Sequence, residues 1–326
     1  MHRLAVAALV APLLGSVPLA AQEPFVGPLG VSERNPFYEL FYVPVLETAD
    51  VLPAGALRLD VTHAYSNIFE WGESDAAEQY FDLERLTSTW TLRHALGSAW
   101  EIGGRMSVQA SWGGFLDPLV EGLHDAFGLP NGDRERVRQN QYGVELRDRR
   151  GDLVYRAPRR TISFEDPQVF VKWGARRSDR GALSVRATTE LPLGQDGTGT
   201  GRADAALEVL ARRSWTRWHL HGMAGVTTVN APEWARPWAH RAATYLALAT
   251  ERTFGPTSLL AQWALSTPYL GDTGIDELDD LPSLLTVAVA GQRRAWRWAL
   301  GFVEDVPPNG PSVDFTVHLQ LWRAWP

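Results

Sequence analysis

The 326-residue chain contains no cysteine, so it has no disulfide framework, no thiolate metal site and no thiol nucleophile. Lysine is nearly absent too, with Lys172 the only one, so almost all positive charge is carried by arginine. Beyond the N-terminus no segment approaches the roughly 18 uninterrupted apolar residues of a membrane helix. Excess positive charge is missing as well. The formal net charge is −7, and one unit more negative without Arg3, which argues against nucleic acid as a general partner.

Tryptophan is present in quantity, with fourteen residues, many at the ends of alternating segments, where an indole suits a membrane interface. The stretch 99–112 shows the pattern best. Trp100, Ile102, Gly104, Met106, Val108, Ala110 and Trp112 share one parity, and Glu101, Arg105, Ser107, Gln109 and Ser111 the other. A period of two is a strand signal. About twelve residues at roughly 3.3 Å each, tilted by about 40°, rise roughly 30 Å, the height of an apolar band between aromatic girdles. A soluble strand hides its apolar face in a core and gains nothing from Trp at both ends.

The N-terminus predicts export. His2 and Arg3 precede an apolar run from Leu4 to Leu14, then Gly15, Pro18 and small residues up to Ala21. This order fits a signal peptide over 1–21, cleaved after Ala21. An uncleaved anchor is the competing reading, opposed by the shortness of the run and by Pro12. Residues 22–326 suffice for two small domains or one large barrel.

Residues 22–55 are broken by Pro24, Pro28, Pro36, Pro44 and Pro53, and carry an aromatic cluster of Phe37, Tyr38, Phe41 and Tyr42. They read as a segment ordered at the periplasmic mouth or folded into a lumen, or as a linker. Alternating segments then recur at 56–67, 81–94, 99–112, 167–176, 182–193, 203–212, 216–229, 241–253, 257–269, 281–290, 295–304 and 313–325. About twelve strands is an even number, as single-chain bacterial barrels require. Connections near 97, 178, 214, 255 and 293 are short, whereas 68–79, 113–166, 194–202, 230–240, 270–280 and 305–312 are longer. Short turns on one side and long loops on the other predict an all-β transmembrane antiparallel barrel with both termini in the periplasm. The last strand alternates Phe315, Val317, Leu319 and Leu321 with Asp314, Thr316, His318 and Gln320, and Trp325 sits beside the terminus. Outer-membrane barrels commonly end in this way, which makes the barrel-assembly machinery an expected partner.

A further set of residues carries a family resemblance: Arg34-Asn35-Pro36-Phe37, Val51-Leu52-Pro53-Ala54-Gly55, Gly113-Gly114-Phe115-Leu116-Asp117, and Glu121-Gly122-Leu123-His124-Asp125-Ala126-Phe127-Gly128-Leu129-Pro130. The set resembles the uncharacterised bacterial family called domain of unknown function three-one-eight-seven, over essentially the whole mature chain. The motif around His124 is its specific part. The resemblance implies a barrel and supplies no mechanism.

Loop 113–166 is the candidate constriction or plug. Residues 115–128 read as a short amphipathic helix with Asp117, Glu121, His124 and Asp125 on one face. Such a face can bind a cation or take a proton, or it can simply be solvated. Phe115, Leu119, Leu123 and Phe127 are expected to pack on the barrel wall. The rest of the loop is Arg-rich, including Arg134, Arg138, Arg147, Arg149, Arg150 and Arg156, which suits anionic solutes or lipopolysaccharide phosphate. The acidic stretch Asp272, Asp276, Glu277, Asp279 and Asp280 fails the EF-hand spacing.

Arg58, Asp60, Arg85, Glu101, Arg105, Lys172, Arg186, Glu190 and Glu208 are expected to face the lumen. They would either line a polar pore or neutralise one another across it. His219 and His221 share one strand face, as a metal pair or, more simply, as lumenal polar packing.

The leading functional expectation is a non-enzymatic outer-membrane barrel that passes or binds small solutes, in contact with membrane lipid and lipopolysaccharide. No cofactor, metal or nucleic acid is expected. Three alternatives stay open: a membrane-embedded lipid hydrolase or acyltransferase, a sealed structural or surface-interaction barrel, and a soluble exported β-sandwich. The hydrolase needs a nucleophile beside a base. His63 and Ser66 do not supply it, because their parities differ.

Overall fold

Alternation becomes hydrogen bonding in twelve long strands. They are β1 (Leu57–Glu73), β2 (Ala77–Leu96), β3 (Trp100–Trp112), β7 (Gln168–Ser178), β8 (Gly181–Glu190), β9 (Asp204–Trp215), β10 (Trp218–Thr228), β11 (Ala242–Phe254), β12 (Thr257–Ser266), β13 (Ser283–Arg293), β14 (Trp296–Asp305) and β15 (Phe315–Trp325). The computed structural model describes residues 26–128, 134, 137–157, 162–195, 197–306, 312–313 and 315–326. The expected signal peptide, 1–21, lies outside the described residues. Each long strand pairs antiparallel with the next, and β1 pairs with β15, from Leu57↔Trp325 to Asn67↔Phe315, which closes the ring. Closure removes every free sheet edge from the lipid zone, where an unpaired backbone group would be costly.

Three short strands decorate the ring: β4 (Gly143–Asp148), β5 (Leu153–Arg156) and β6 (Ser163–Phe164). β4 extends the sheet beside the distal part of β2, and β5 follows it. All three belong to the segment expected to be one long loop.

The two faces of the wall differ as their parity requires. Outward side chains include Leu285, Val287, Val289, Leu300, Phe302, Val317 and Leu319, all exposed. Trp100, Trp173, Trp215, Trp218 and Trp296 ring the end that carries the short turns. Arg252 stacks over Trp218, and Arg323 over Trp296 and Trp325, with cation to ring-centroid distances of 5.1–5.4 Å. This is how an arginine at an interface keeps its stem on an apolar surface and its head in water. Inward neighbours such as Glu101, Lys172, Arg186, Glu208, Glu251 and His318 are buried.

The connection expected over 68–79 is not a loop. β1 runs on to Glu73 and β2 starts at Ala77, so the turn is only residues 74–76, closed by Ser74 Oγ accepting from the Ala76 and Ala77 amides. Ile68, Phe69, Phe81 and Leu83 are all buried there, because both sides of the projecting hairpin are covered. Alternation fades wherever neither face meets lipid or water.

Helix α1 (Asp117–Phe127) forms as expected, but it lies outside the ring rather than in the lumen. It rests on outward side chains of β1 and β2. Asn67 Nδ2 donates to Asp117 Oδ1 at 2.8 Å, and Glu84 accepts the backbone amides of Phe115 and Leu116 at the helix N-terminus. A carboxylate there satisfies orphan donors and suits the helix dipole. The buried face is Asp117, Val120 and His124, whereas Phe115 is 65% and Leu119 52% exposed. This reverses the expected packing. The apolar face points away from the protein because the helix sits beside the lipid-facing belt, where Phe115 neighbours Tyr65 and Tyr65 neighbours Trp112.

Val287→Arg, on the outer wall, should lower folding stability in vesicles by about 2–4 kcal/mol, and Ser107→Arg, facing the lumen, by much less. Urea titration of refolding into vesicles measures both. Equal penalties would contradict the face assignment.

Candidate functional site

What occupies the lumen is the N-terminal segment. Residues 26–55 enter the ring and make a 3-10 turn at Tyr38–Leu40. They leave through a turn in which the Ala56 amide bonds Pro53 O and Gly55 takes a φ of +79°, a conformation that favours glycine. Three apolar contacts seat the segment. Phe37, Tyr38 and Phe41 pack with Ile68, Phe81, Leu146, Tyr269 and Leu278 at the long-loop end. Val26, Leu29 and Val31 pack on inward residues of β12–β15, and Leu46 and Ala49 on β8–β11. Over the first cluster, Tyr155 of β5 stacks on Trp234 with ring centroids 4.5 Å apart.

Polar contacts fix the same segment to the wall. Glu251 accepts the amides of Val26 and Gly27 at 2.7 and 2.9 Å, and Gln320 that of Gly30 at 2.9 Å. Glu70 accepts both bonds offered by Asn35 Nδ2. Tyr42 donates its hydroxyl to Glu208 at 2.7 Å, and Arg186 donates to the Val45 carbonyl at 3.1 Å.

The strongest anchor is an ion-pair network centred on Glu47. Its carboxylate meets Arg93 of β2, Lys172 of β7 at 3.2 Å and Arg186 of β8 at 3.1 Å. Lys172 also reaches Glu101 at 3.0 Å, Arg93 reaches Asp60 at 3.2 Å, and Arg186 pairs with Glu208. Asp50 is held by Arg212 of β9 through two bonds of 2.6 and 3.0 Å. Phe170 lies between these groups, with Arg93 and Arg186 over its ring at 5.2 and 5.9 Å. Gly103 allows this, since a Cβ there would collide with the Phe170 ring and the Leu92 carbonyl.

Burial pushes the Glu47 carboxyl up, but Arg93, Lys172 and Arg186 outweigh it and hold it well below the usual carboxylate range. Asp50 follows the same pattern, with burial offset by Arg212. Both carboxylates therefore stay ionised at neutral pH.

A cavity of about 1000 Å³ remains between the segment and the wall formed by β1, β2, β3, β7 and β8. At the short-turn end it is bounded by Arg58, Arg177, Arg180 and Arg297, and at the loop end by Glu33, Glu165, Asp166 and Glu190. Of the residues singled out in the sequence, Arg58, Asp60, Glu101, Arg105, Lys172 and Glu190 line this cavity, and Arg186 stands in the adjoining network. Asp117, Glu121, His124 and Asp125 do not come together at the lumen. They ride on α1 outside the ring, with Asp117 and His124 turned to the wall and Asp125 exposed. Among the described residues, none of the helix lines the cavity.

The other candidates have local partners. Asp279 accepts from the Thr273 and Gly274 amides and so caps its own loop. His219 and His221 are buried and face inward, with His219 Nδ1 2.9 Å from Ser214 Oγ. One pairing escaped the sequence. His63 and Ser88 are register partners on β1 and β2, facing outward, with Nδ1 and Oγ 2.9 Å apart. Parity along one strand carries no information about a cross-strand neighbour. Among the described residues Ser88 is the only hydrogen-bond partner of His63, so no third group orients the imidazole as a catalytic base requires.

Lys172 gives a direct readout of the segment, because it is the only side-chain amine. An amine-directed reagent should modify it slowly in the intact barrel, and about tenfold or more faster in Glu47→Ala, where local opening is easier. Peptide mapping measures the rate. Equal rates would mean that residues 26–55 do not cover Lys172.

Comparison with known proteins follows the same lines. The structure resembles that of the COG4313 outer membrane channel from Pseudomonas putida F1, with a TM-score of 0.54 at 11% identity, over 85% of this chain and 98% of that one. The KdgM porin gives a TM-score of 0.44 at 6% identity, over 82% of this chain and 99% of that one. The translocator domain of the autotransporter NalP from Neisseria meningitidis gives 0.43 at 9% identity, over 84% and 90%. At 11% identity the likeness to the first of these concerns the fold alone. A comparison with curated proteins finds no match. The model of a family described as a protein of unknown function, DUF3187, matches residues 3–325, and the chain belongs to that family.

Proposed function

We propose that this protein is a non-enzymatic channel of the outer membrane, passing small polar solutes along a lumen narrowed by its own N-terminal segment. The observation that carries this reading is the charged cavity beside residues 26–53, enclosed by a twelve-strand ring. A closed barrel with an apolar outer belt requires a bilayer, and the strand pattern is that of outer-membrane barrels. Its charged interior has no packing purpose that apolar side chains would not serve better. Similarity in fold to an outer membrane channel agrees with this reading.

Membrane lipid and lipopolysaccharide are the expected surroundings. Arg147, Arg150 and Arg156 lie on the β4–β5 hairpin at the long-loop end, where anionic headgroups would meet them. The constriction in this reading is the N-terminal segment, and α1 serves the outer wall.

The refolded barrel in a planar bilayer should give small discrete conductance steps. A folded barrel that stays silent, judged by its heat-modifiable migration in detergent gels, would contradict the channel and favour a sealed structural barrel. The pH dependence has a definite sign. Glu47 and Asp50 have lowered pKa values in the folded protein, so their contribution is complete above the ordinary carboxylate pKa of about 4 and is lost as pH falls through the lowered values. Step size should therefore hold between about pH 7 and pH 5 and rise only in stronger acid.

A further inference from the structure

The ion-pair network around Glu47 and Asp50 is balanced. Arg58, Arg93, Lys172, Arg186 and Arg212 pair with Asp60, Glu101, Glu208, Glu47 and Asp50, cation for carboxylate. Arg105 stands outside this set. It lies on β3 with its guanidinium lining the cavity. Its one hydrogen bond among the described residues is from Nε to Thr91 Oγ1, at 3.4 Å. No described carboxylate lies within ion-pair distance of it.

The strand register explains why. Arg105 pairs with Thr91 on one side and Gln168 on the other, and Gln168 pairs with Glu190. The nearest acid on that row is thus two strands away, about 10 Å. Gln168 Nε2 also donates to Glu190 Oε1 at 3.1 Å, which turns that carboxylate toward β7. Of the acids toward the loops, Glu39 is taken by Arg34 and Arg85, and Glu165 bonds the Ser107 hydroxyl. Asp166 accepts the Gly194 amide.

We propose that Arg105 is a binding site for a small oxyanion, a carboxylate or a phosphate, within the cavity. This deepens the channel reading and rests on it for solute access. Among the described residues the terminal nitrogens of Arg105 have no hydrogen-bond partner, and a guanidinium fork presents parallel donors of the spacing that a carboxylate or phosphate accepts. Thr62 and Thr91 line the same cavity and offer hydroxyl donors, whereas Thr89 and Ser107 hold one another at 3.0 Å. An arginine with no carboxylate in ion-pair range attracts anions into a cavity, and in a passage it biases which ions cross.

The test is calorimetric titration of the refolded full-length barrel in detergent with inorganic phosphate and, separately, acetate, for the native chain, Arg105→Gln and Arg105→Lys. Saturable binding is expected. It should weaken about tenfold or more in Arg105→Gln, with Arg105→Lys keeping part of it because the charge stays while the fork is lost. Tighter binding of phosphate or of acetate identifies the class of solute. No binding by the native chain, or equal affinity in Arg105→Gln, would overturn the site. Reversal potentials across a salt gradient form the second arm, with Arg105→Glu expected to shift selectivity toward cations. Phosphate binding by a barrel that never conducts would leave the site standing and remove the channel reading.

Discussion

The placement of one carboxylate, Glu47, decides what this barrel is. Arg93, Lys172 and Arg186 come from three different strands and would repel one another across a narrow lumen. Unpaired, such charges are expensive to enclose. Each also meets a wall carboxylate, Asp60, Glu101 or Glu208, and Glu47, arriving on a segment that is not part of the wall, is the one group that touches all three. The barrel and its N-terminal segment therefore specify each other. The wall lacks the negative charge that the segment brings, and the segment lacks the backbone partners that Glu251, Gln320 and Arg186 supply.

The same complementarity divides the lumen. Apolar contacts hold the segment against β8–β15, and the open space is left beside β1, β2, β3 and β7. Arginines, among them Arg177, Arg180 and Arg297, line the short-turn end, while Glu165, Asp166 and Glu190 gather near the loops. Arg105 lies on the free wall between them. Outside, the ordinary rule of amphipathic packing is inverted. α1 turns Asp117 and His124 to the protein and leaves Phe115 and Leu119 outward, an arrangement that makes sense only if lipid reaches that height.

Much of the ring was legible in the sequence because a wall with lipid on one side and a polar lumen on the other enforces a period of two. All twelve long strands carry that signature. Legibility failed where the two solvents are replaced by protein. Ile68, Phe69, Phe81 and Leu83 break alternation because caps and α1 cover both faces of the β1–β2 tip. β4, β5 and β6 are short and gain their pairing from β2 and β3, so their own residues carry little signal. The inward charges were visible by parity, yet their grouping depends on register and on a segment distant in sequence. His63 and Ser88 meet only once the hairpin register is known. The aromatic cluster Phe37, Tyr38, Phe41 and Tyr42 lies on the segment that occupies the lumen, although its composition alone left the periplasmic mouth and a linker equally open.

The most direct measurement is the conductance of the barrel with residues 26–52 removed, compared with the intact chain in the same bilayer. If that segment sets the width of the passage, the shortened barrel opens in steps several-fold larger and loses its response to acid. Equal steps from both, with heat-modifiable migration confirming that the shortened barrel has folded, would contradict the account and place the constriction elsewhere.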